Sequence, residues 1–231
     1  LFRERSVDVL TNLFEKLRGQ LIVSAQAQAN EPLHGAMHMV AMARAAIEGG
    51  AAGLRCEGPA DIEAIRAAVG VPLIGLWKVA PGGVCITPTF EAARAVVAAG
   101  ADIVAIDATM RERPVPVHAL IRYIQETLQR PVMADVSNLE EGIAAVASGA
   151  DCVGPTLSGY TGGPVPTEPD WDLLTGLLAS VSVPVVMEGR IWEPIQAARA
   201  LRQGAWAVVV GSAITRPQLI TRRFTTAIQS P

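Results

Sequence analysis

The chain has 231 residues, half of them apolar, and a formal net charge of −3. That length suits one large α/β domain with a sizeable core, and the charge balance leaves no basic footprint for nucleic acid. No apolar run reaches membrane-spanning length, and Leu1–Arg5 is charged with no apolar stretch after it, so neither a membrane partner nor a signal peptide is expected.

Ser6–Leu17 reads as an amphipathic helix ahead of a first strand, Leu21–Ala25. Met37, Val40, Ala43 and Ile47 then show helical spacing. The turn Gly49-Gly50-Ala51-Ala52-Gly53 closes that pattern and leads into Gly53–Cys56. Val71-Pro72-Leu73 opens the third strand, Leu73–Lys78, with Pro where a missing N–H is tolerated. Gly100-Ala101-Asp102 leads into Ile103–Thr109, and Arg130-Pro131-Val132 opens Val132–Val136. Ile143, Val146 and Ala147 are again helical in spacing, before Gly149-Ala150-Asp151 and the strand Cys152–Leu157. A long Gly/Pro-rich loop, Gly159–Pro169, precedes the entry Val183-Pro184-Val185 to Val185–Glu188. Gly204-Ala205-Trp206 introduces the last strand, Ala207–Gly211. The two kinds of entry alternate strictly, and the Gly-Ala turns recur about every fifty residues, near the length of two βα units. Eight such units in 231 residues predict a single (β/α)8 barrel over residues 1–231, with an extra N-terminal helix. A doubly wound sheet is the rival and explains the alternation less well.

In a barrel the chemistry lies at the C-terminal ends of the strands. Those ends carry Ser24 and Gln26, Arg55, Lys78, Asp107 and Thr109, Asp135, Thr156 and Ser158, Glu188, and Gly211 with Ser212. A charge directly after Ile-Gly-Leu-Trp or Pro-Val-Val-Met is costly unless paired or functional. Lys78 and Glu188 across one mouth can transfer protons if burial brings both pKa values toward neutrality; a structural ion pair is the plainer alternative. Arg55 could clamp hydroxyls, orient Glu188 or simply pair with a carboxylate. Asp135 reads best as a structural or orienting carboxylate, and Asp107 similarly. Arg111 and Arg113 are equally compatible with a phosphate contact and with solvation. After the run ending at Val210, Gly211-Ser212 offers amides at a helix start, as barrels hold phosphate after their last strand.

His34 and His38, four apart on the first helix, lack the intervening Glu of the zinc-protease motif, and a capping or packing role fits them better than a metal. His118 falls on an outer helical pattern. Cys56, Cys85 and Cys152 have no metal-ligand spacing and are expected as reduced packing residues in a cytoplasmic protein.

These residues together resemble the N-acetylmannosamine-6-phosphate 2-epimerase family of bacterial sialic acid catabolism. The match is a series in order along the chain: Ile22-Val23-Ser24-Ala25-Gln26-Ala27, Glu31-Pro32-Leu33-His34, Gly53-Leu54-Arg55, Ile86-Thr87-Pro88-Thr89, Ile106-Asp107-Ala108-Thr109, Met133-Ala134-Asp135-Val136-Ser137, Leu157-Ser158-Gly159-Tyr160-Thr161, Glu188-Gly189-Arg190 and Val210–Leu219. The resemblance implies a phosphate-binding barrel that needs no metal or organic cofactor and interconverts N-acetylmannosamine 6-phosphate and N-acetylglucosamine 6-phosphate. It implies Lys78 as proton donor and acceptor, with Glu188 as the second acid/base. Gln26, Arg55, Asp135 and Arg216 would bind substrate or shape the site, the backbone around Gly189, Arg190, Gly211 and Ser212 would take the phosphate, and the assembly would be a homodimer. The chain departs from the family's pattern in the uncharged run Val79-Ala80-Pro81-Gly82-Gly83 after Lys78, in Ala25 where Cys is frequent, and in Pro155. Two enzymatic alternatives remain open, a Schiff-base aldolase using Lys78 and another phosphosugar isomerase. A non-enzymatic one is a metabolite-sensing barrel that binds RNA, which the net charge does not favour.

Overall fold

The computed structural model describes residues 13–79, 83–162 and 164–229. Eight strands run parallel: β1 (Leu21–Ala25), β2 (Gly53–Glu57), β3 (Leu73–Leu76), β4 (Ile103–Asp107), β5 (Val132–Asp135), β6 (Cys152–Gly154), β7 (Val186–Glu188) and β8 (Ala207–Val210). Their order is β6-β5-β4-β3-β2-β1-β8-β7, and the parallel bridge Val153–Val185 joins the two ends, so the sheet closes into the predicted (β/α)8 barrel. The intervening helices are α1 (Ala36–Glu48), α2 (Pro59–Ala68), α3 (Phe90–Ala98), α4 (Val117–Arg122, continued by a π-helical turn Tyr123–Thr127), α5 (Leu139–Ala147), α6 (Trp171–Ser180) and α7 (Pro194–Arg202). A short α8 (Ser212–Thr215) and the long α9 (Pro217–Gln229) follow β8. No described helix is long and apolar enough to cross a membrane.

Both kinds of strand entry have a physical counterpart. Gly50, Gly100, Gly149 and Gly204 all take positive φ, between 98° and 107°. Each lets the residue after it donate back into the finished helix: Ala51 N to Ala46 O, Ala101 N to Val96 O, Ala150 N to Ala145 O and Ala205 N to Ala200 O. The chain then joins the sheet one residue later, as in Asp102 N to Leu73 O at 2.9 Å. These turns feed the even-numbered strands. The odd strands β3, β5 and β7 enter through Pro72, Pro131 and Pro184, whose carbonyls accept from Leu54, Val104 and Val153 of the neighbouring even strands. Proline costs nothing there because only its carbonyl is needed.

The period-2 alternation of each strand divides the interior in two. Ile22, Ile74, Ile103, Met133, Val186 and Val209 fill the barrel, while Val23, Leu54, Val104, Ala134, Met187 and Val208 face the helices. Residues 13–17 are helical, and buried Leu17 packs with the barrel-filling set; Trp206 Nε1 donates to Phe14 O at 2.9 Å. The earlier part of the expected helix Ser6–Leu17 lies outside the described residues.

Three expectations need correction. The strands are shorter at the mouth than expected: β3 ends at Leu76 rather than Lys78, β4 at Asp107, and β6 at Gly154 rather than Leu157, because splaying strands lose their ladder partners. The buried faces of two helices differ from the expected ones. In α1 they are Met39, Ala43 and Ala46, with Met37 exposed; in α5 Glu141, Gly142 and Ala145 are buried, with Ile143 exposed. Close helix packing explains it: a Cβ on Gly142 would fall 2.3 Å from Leu177 Cδ2. Finally, His34 precedes α1, separated from it by Gly35 at φ 109°, so His34 and His38 do not share a helix face; His34 Nδ1 lies 3.2 Å from Ala27 O.

The glycine turns are testable. Gly50→Ala has free space for its methyl, so its cost is conformational, about 1–3 kcal/mol by urea unfolding. Gly70→Ala, also in open space but without a positive φ, is expected to change stability by less than about 0.5 kcal/mol.

Candidate active site at the mouth of the barrel

A cavity of about 420 Å³ opens at the C-terminal ends of the strands. Gln26, Arg55, Lys78, Glu188, Gly189, Arg190, Gly211, Ser212 and Arg216 all line it. Of the ten residues given a role by the family resemblance only Asp135 does not, because its fully buried carboxylate sits beneath Arg55.

Arg55, at the end of β2, is itself only 1% exposed. Its Nη1 and Nη2 donate to the two carboxylate oxygens of Asp135 at 3.0 and 2.6 Å. The same Nη1 lies 2.9 Å from Glu188 Oε2. Thr156 Oγ1 lies 2.7 Å from Asp135 Oδ1 and 3.4 Å from Glu188 Oε2. One guanidinium therefore serves two carboxylates from β5 and β7. With both ionised, the buried group carries one uncompensated negative charge, which a proton on Glu188 removes. Burial above all, with repulsion from Asp135, raises the Glu188 pKa from 4.5 to about 7 against the opposing pull of Arg55 and Lys78. Because Glu188 holds its proton more tightly folded than unfolded, it favours the fold below about pH 4.5, and that contribution fades as pH rises through about 7.

Lys78 arrives by a different device. The β3–β4 ladder pairs only Ile74 with Ile103 and Gly75 with Val104. Beyond it the strands part, and the segment returning from the loop after Lys78 fills the gap. Lys78 forms an antiparallel bridge with Ile86, Thr87 N donates to Trp77 O at 2.8 Å, and Asp107 N donates to Ile86 O at 2.9 Å. Buried Thr87 takes φ 44° in this wedge and accepts from Trp77 N through its hydroxyl at 3.1 Å. The Lys78 amide donates to Glu57 Oε1 at 3.1 Å, and its ammonium donates to Gln26 Oε1 at 2.9 Å. Lys78 keeps contact with solvent in the cavity, yet the surrounding walls and then the Arg55 cation lower its pKa below the ordinary lysine value. The departure from the family's pattern after Lys78 falls partly on residues 80–82, outside the described residues.

On the opposite rim Gly189 (φ 114°) and Arg190 (φ 57°) turn the chain after β7, and Gly211 caps α8 after β8. A Cβ on Gly211 would stand 3.3 Å from Ser24 Cβ, so a larger residue would push this rim and β1 apart by a few tenths of an ångström. The Arg190 guanidinium is engaged by the loop after β6: Nε donates to Glu168 O at 2.6 Å and Nη1 to Ser158 O. Arg216 pairs with Glu31 at 3.3 Å. Sequence reasoning placed Thr156 at the rim without a role, and left Cys85 as packing; both line the cavity. Thr156 could have been found only from its spatial neighbours Asp135 and Glu188. Arg111 lines the cavity while Arg113 does not; Arg113 Nε is spent on Val115 O at 2.7 Å.

Fold and cavity together define a (β/α)8 barrel with a cavity of ionisable groups at its C-terminal mouth. Known proteins identify the particular family. The family model described as "Putative N-acetylmannosamine-6-phosphate epimerase" matches residues 39–230. A Thermosynechococcus vestitus protein described as "Putative N-acetylmannosamine-6-phosphate 2-epimerase" is 50% identical over 222 residues, 95% of this chain and 97% of that one. The "Bifunctional enzyme NanE/NanK" of Brucella melitensis is 47% identical over 225 residues, 96% of this chain and 43% of its own length. The solved structure of the N-acetylmannosamine-6-phosphate 2-epimerase from Clostridium perfringens matches with a TM-score of 0.89 at 42% identity, over 93% of this chain and 95% of that one. The chain belongs to the N-acetylmannosamine-6-phosphate epimerase family.

If the unbalanced charge around Arg55 governs Glu188, Asp135→Asn lowers the Glu188 pKa by about one unit or more, because Arg55 then faces a single carboxylate. Carboxyl-carbon NMR titration of Glu188 reads this directly; an unchanged midpoint would contradict the charge argument.

Proposed function

We propose that this chain interconverts N-acetylmannosamine 6-phosphate and N-acetylglucosamine 6-phosphate by removing and returning the proton on C2 of the open-chain sugar. The observation that carries the reading is that Lys78, just after β3, and Glu188, at the end of β7, line one cavity with pKa values displaced toward neutrality from opposite sides. Family membership and the C. perfringens structure support the same activity.

In the ring form C2 has no adjacent carbonyl and its hydrogen is not acidic. Opening the ring makes C2 the α-carbon of an aldehyde, so loss of the proton gives an enolate. Neutral Lys78 takes that proton and becomes an ammonium. Protonated Glu188 returns one to the other face of C2 and becomes a carboxylate. The reverse reaction exchanges these duties: the Glu188 carboxylate is the base and the Lys78 ammonium the acid. Acid–base help of this kind contributes roughly 10²–10⁴-fold. Gln26 holds the Lys78 ammonium by its amide oxygen, and Ser24 Oγ fixes Gln26 Nε2 at 2.9 Å. Arg55 orients Glu188, and Asp135 acts through Arg55 rather than on the substrate. The backbone around Gly189, Arg190, Gly211 and Ser212 binds the phosphate, with Arg216 at the same rim. That grip positions C2 with binding energy remote from the reacting carbon.

The same reading makes the protein a cytoplasmic homodimer. Cys56, Cys85 and Cys152 are free thiols, which suits a reducing compartment. Along α9 no residue is buried, and Phe224 and Ile228 stand 67% and 81% exposed, apolar surface that a second copy would cover.

Incubation of N-acetylmannosamine 6-phosphate in D2O, followed by NMR, tests the mechanism. Deuterium is expected at C2 of the product, and Lys78→Ala and Glu188→Ala should each lower kcat by about 10²–10⁴-fold with the thermal transition retained. Product unlabelled at C2 would rule out deprotonation.

A further inference from the structure

One cation of the cavity has no part in the scheme above. Arg111 follows β4, and its guanidinium is fixed from behind. Nη2 donates to Asp107 Oδ2 at 2.6 Å and Nε donates to Thr109 Oγ1 at 3.0 Å. Asp107 is fully buried, and its other oxygen accepts from Thr109 N at 3.0 Å and Thr109 Oγ1 at 2.6 Å. Two of the three guanidinium nitrogens are thus spent on a rigid support. The third, Nη1, has no hydrogen-bond partner among the described residues, and the side chain lines the cavity while remaining 27% exposed. A donor held this firmly and left unused toward a cavity is placed to meet a ligand.

Position in the barrel says which part of the ligand. In the closed ring of eight strands β4 stands opposite β8, so Arg111 faces the rim of Gly211 and Ser212 across the mouth. Lys78 is its neighbour. Cys85, Lys78 and Arg111 line the same cavity, and both cations oppose the rise that burial and Asp107 impose on the Cys85 thiol, so both lie within electrostatic reach of that sulfur. This step rests on the proposed reaction: with the C6 phosphate on the β7–β8 rim and C2 between Lys78 and Glu188, the substituents beyond C2 extend toward β4. Two oxygens lie at that end, the C1 oxygen and the carbonyl of the acetamido group. Charge grows on the C1 oxygen during the reaction, whereas the acetamido oxygen is a neutral acceptor throughout. Asp107 neutralises Arg111, so the pair offers a directed donor rather than a net positive field, and that matches the neutral acceptor.

The geometry points to Arg111, held by Asp107 and Thr109, as the residue that recognises the 2-acetamido group by donating from Nη1 to its carbonyl oxygen, and so selects N-acetylated sugar phosphates.

Unreactive open-chain ligands separate this role from catalysis. 2-Acetamido-2-deoxyglucitol 6-phosphate is the open-chain product with its aldehyde reduced; 2-deoxyglucitol 6-phosphate lacks the acetamido arm. Calorimetry on the intact protein is expected to show that Arg111→Lys, which keeps a charge on Asp107 but loses the fork, weakens the first ligand by about 10-fold, equivalent to about 1.4 kcal/mol. The second ligand and inorganic phosphate should change by less than about 2-fold. Arg111→Gln, which removes the charge as well, should show the same selective loss. Equal weakening of both alditols, or none, overturns the role of Arg111. Wild-type protein that binds the two alditols equally also overturns it. Absence of turnover and C2 labelling by wild type, with the alditol preference intact, sinks the epimerase reading instead.

Discussion

The site depends on one guanidinium shared between two carboxylates inside a closed barrel. Arg55, Asp135 and Glu188 come from β2, β5 and β7, so their meeting requires the ring to close. A matched ion pair would leave each carboxylate permanently ionised. Here Asp135 takes both nitrogens of the fork, and Glu188 shares only Nη1. Asp135 is thereby locked beneath the fork, and Glu188 is a group that can hold a proton near neutral pH. Burying this cluster is costly, and the Arg55 Nε has no partner among the described residues; the balance of charge, rather than stability, is what the arrangement supplies.

Lys78 complements that cluster through a local defect in the sheet. If β3 and β4 stayed paired to their ends, the residues after Leu76 would continue up the wall. Instead the strands part and residues 85–87 insert between them, pairing with Trp77 and Lys78 on one side and Asp107 on the other. The wedge fixes the Lys78 backbone at the mouth, and the long side chain crosses to Gln26 beside β1. The positive φ of Thr87 is the strained point of this insertion. Lys78 and Glu188 are thus held by unrelated means, a backbone wedge on one side and a buried charge cluster on the other.

Much of the architecture was legible along the chain because its signals are local. A glycine at positive φ ends a helix within two residues, and a proline opening a strand acts through its own carbonyl, so the alternation of the two marked every strand after β1. Glu188, Lys78 and the rim glycines were equally visible, since a charge or a glycine at the end of an apolar run needs no partner to be conspicuous. The helix faces were less so. Met37 and Ile143 fit a helical stripe, but the buried faces use Ala46 and Gly142 instead, the latter against Leu177 of the next helix. Apolarity alone does not report how closely a helix must approach.

By itself the sequence determined the barrel and the set of polar groups on its rim, because strand runs, helix stops and turn glycines depend on neighbouring residues. Only the tertiary structure decided how those groups divide the work. Arg55 and Asp135 lie 80 positions apart, and no local pattern says that Asp135 sits beneath the guanidinium while Glu188 reaches the cavity. Nor does one say that Arg111 is pinned at two nitrogens while Arg113 turns away. Pairing of charges is settled by distances across the closed ring, and those exist only once β6 meets β7.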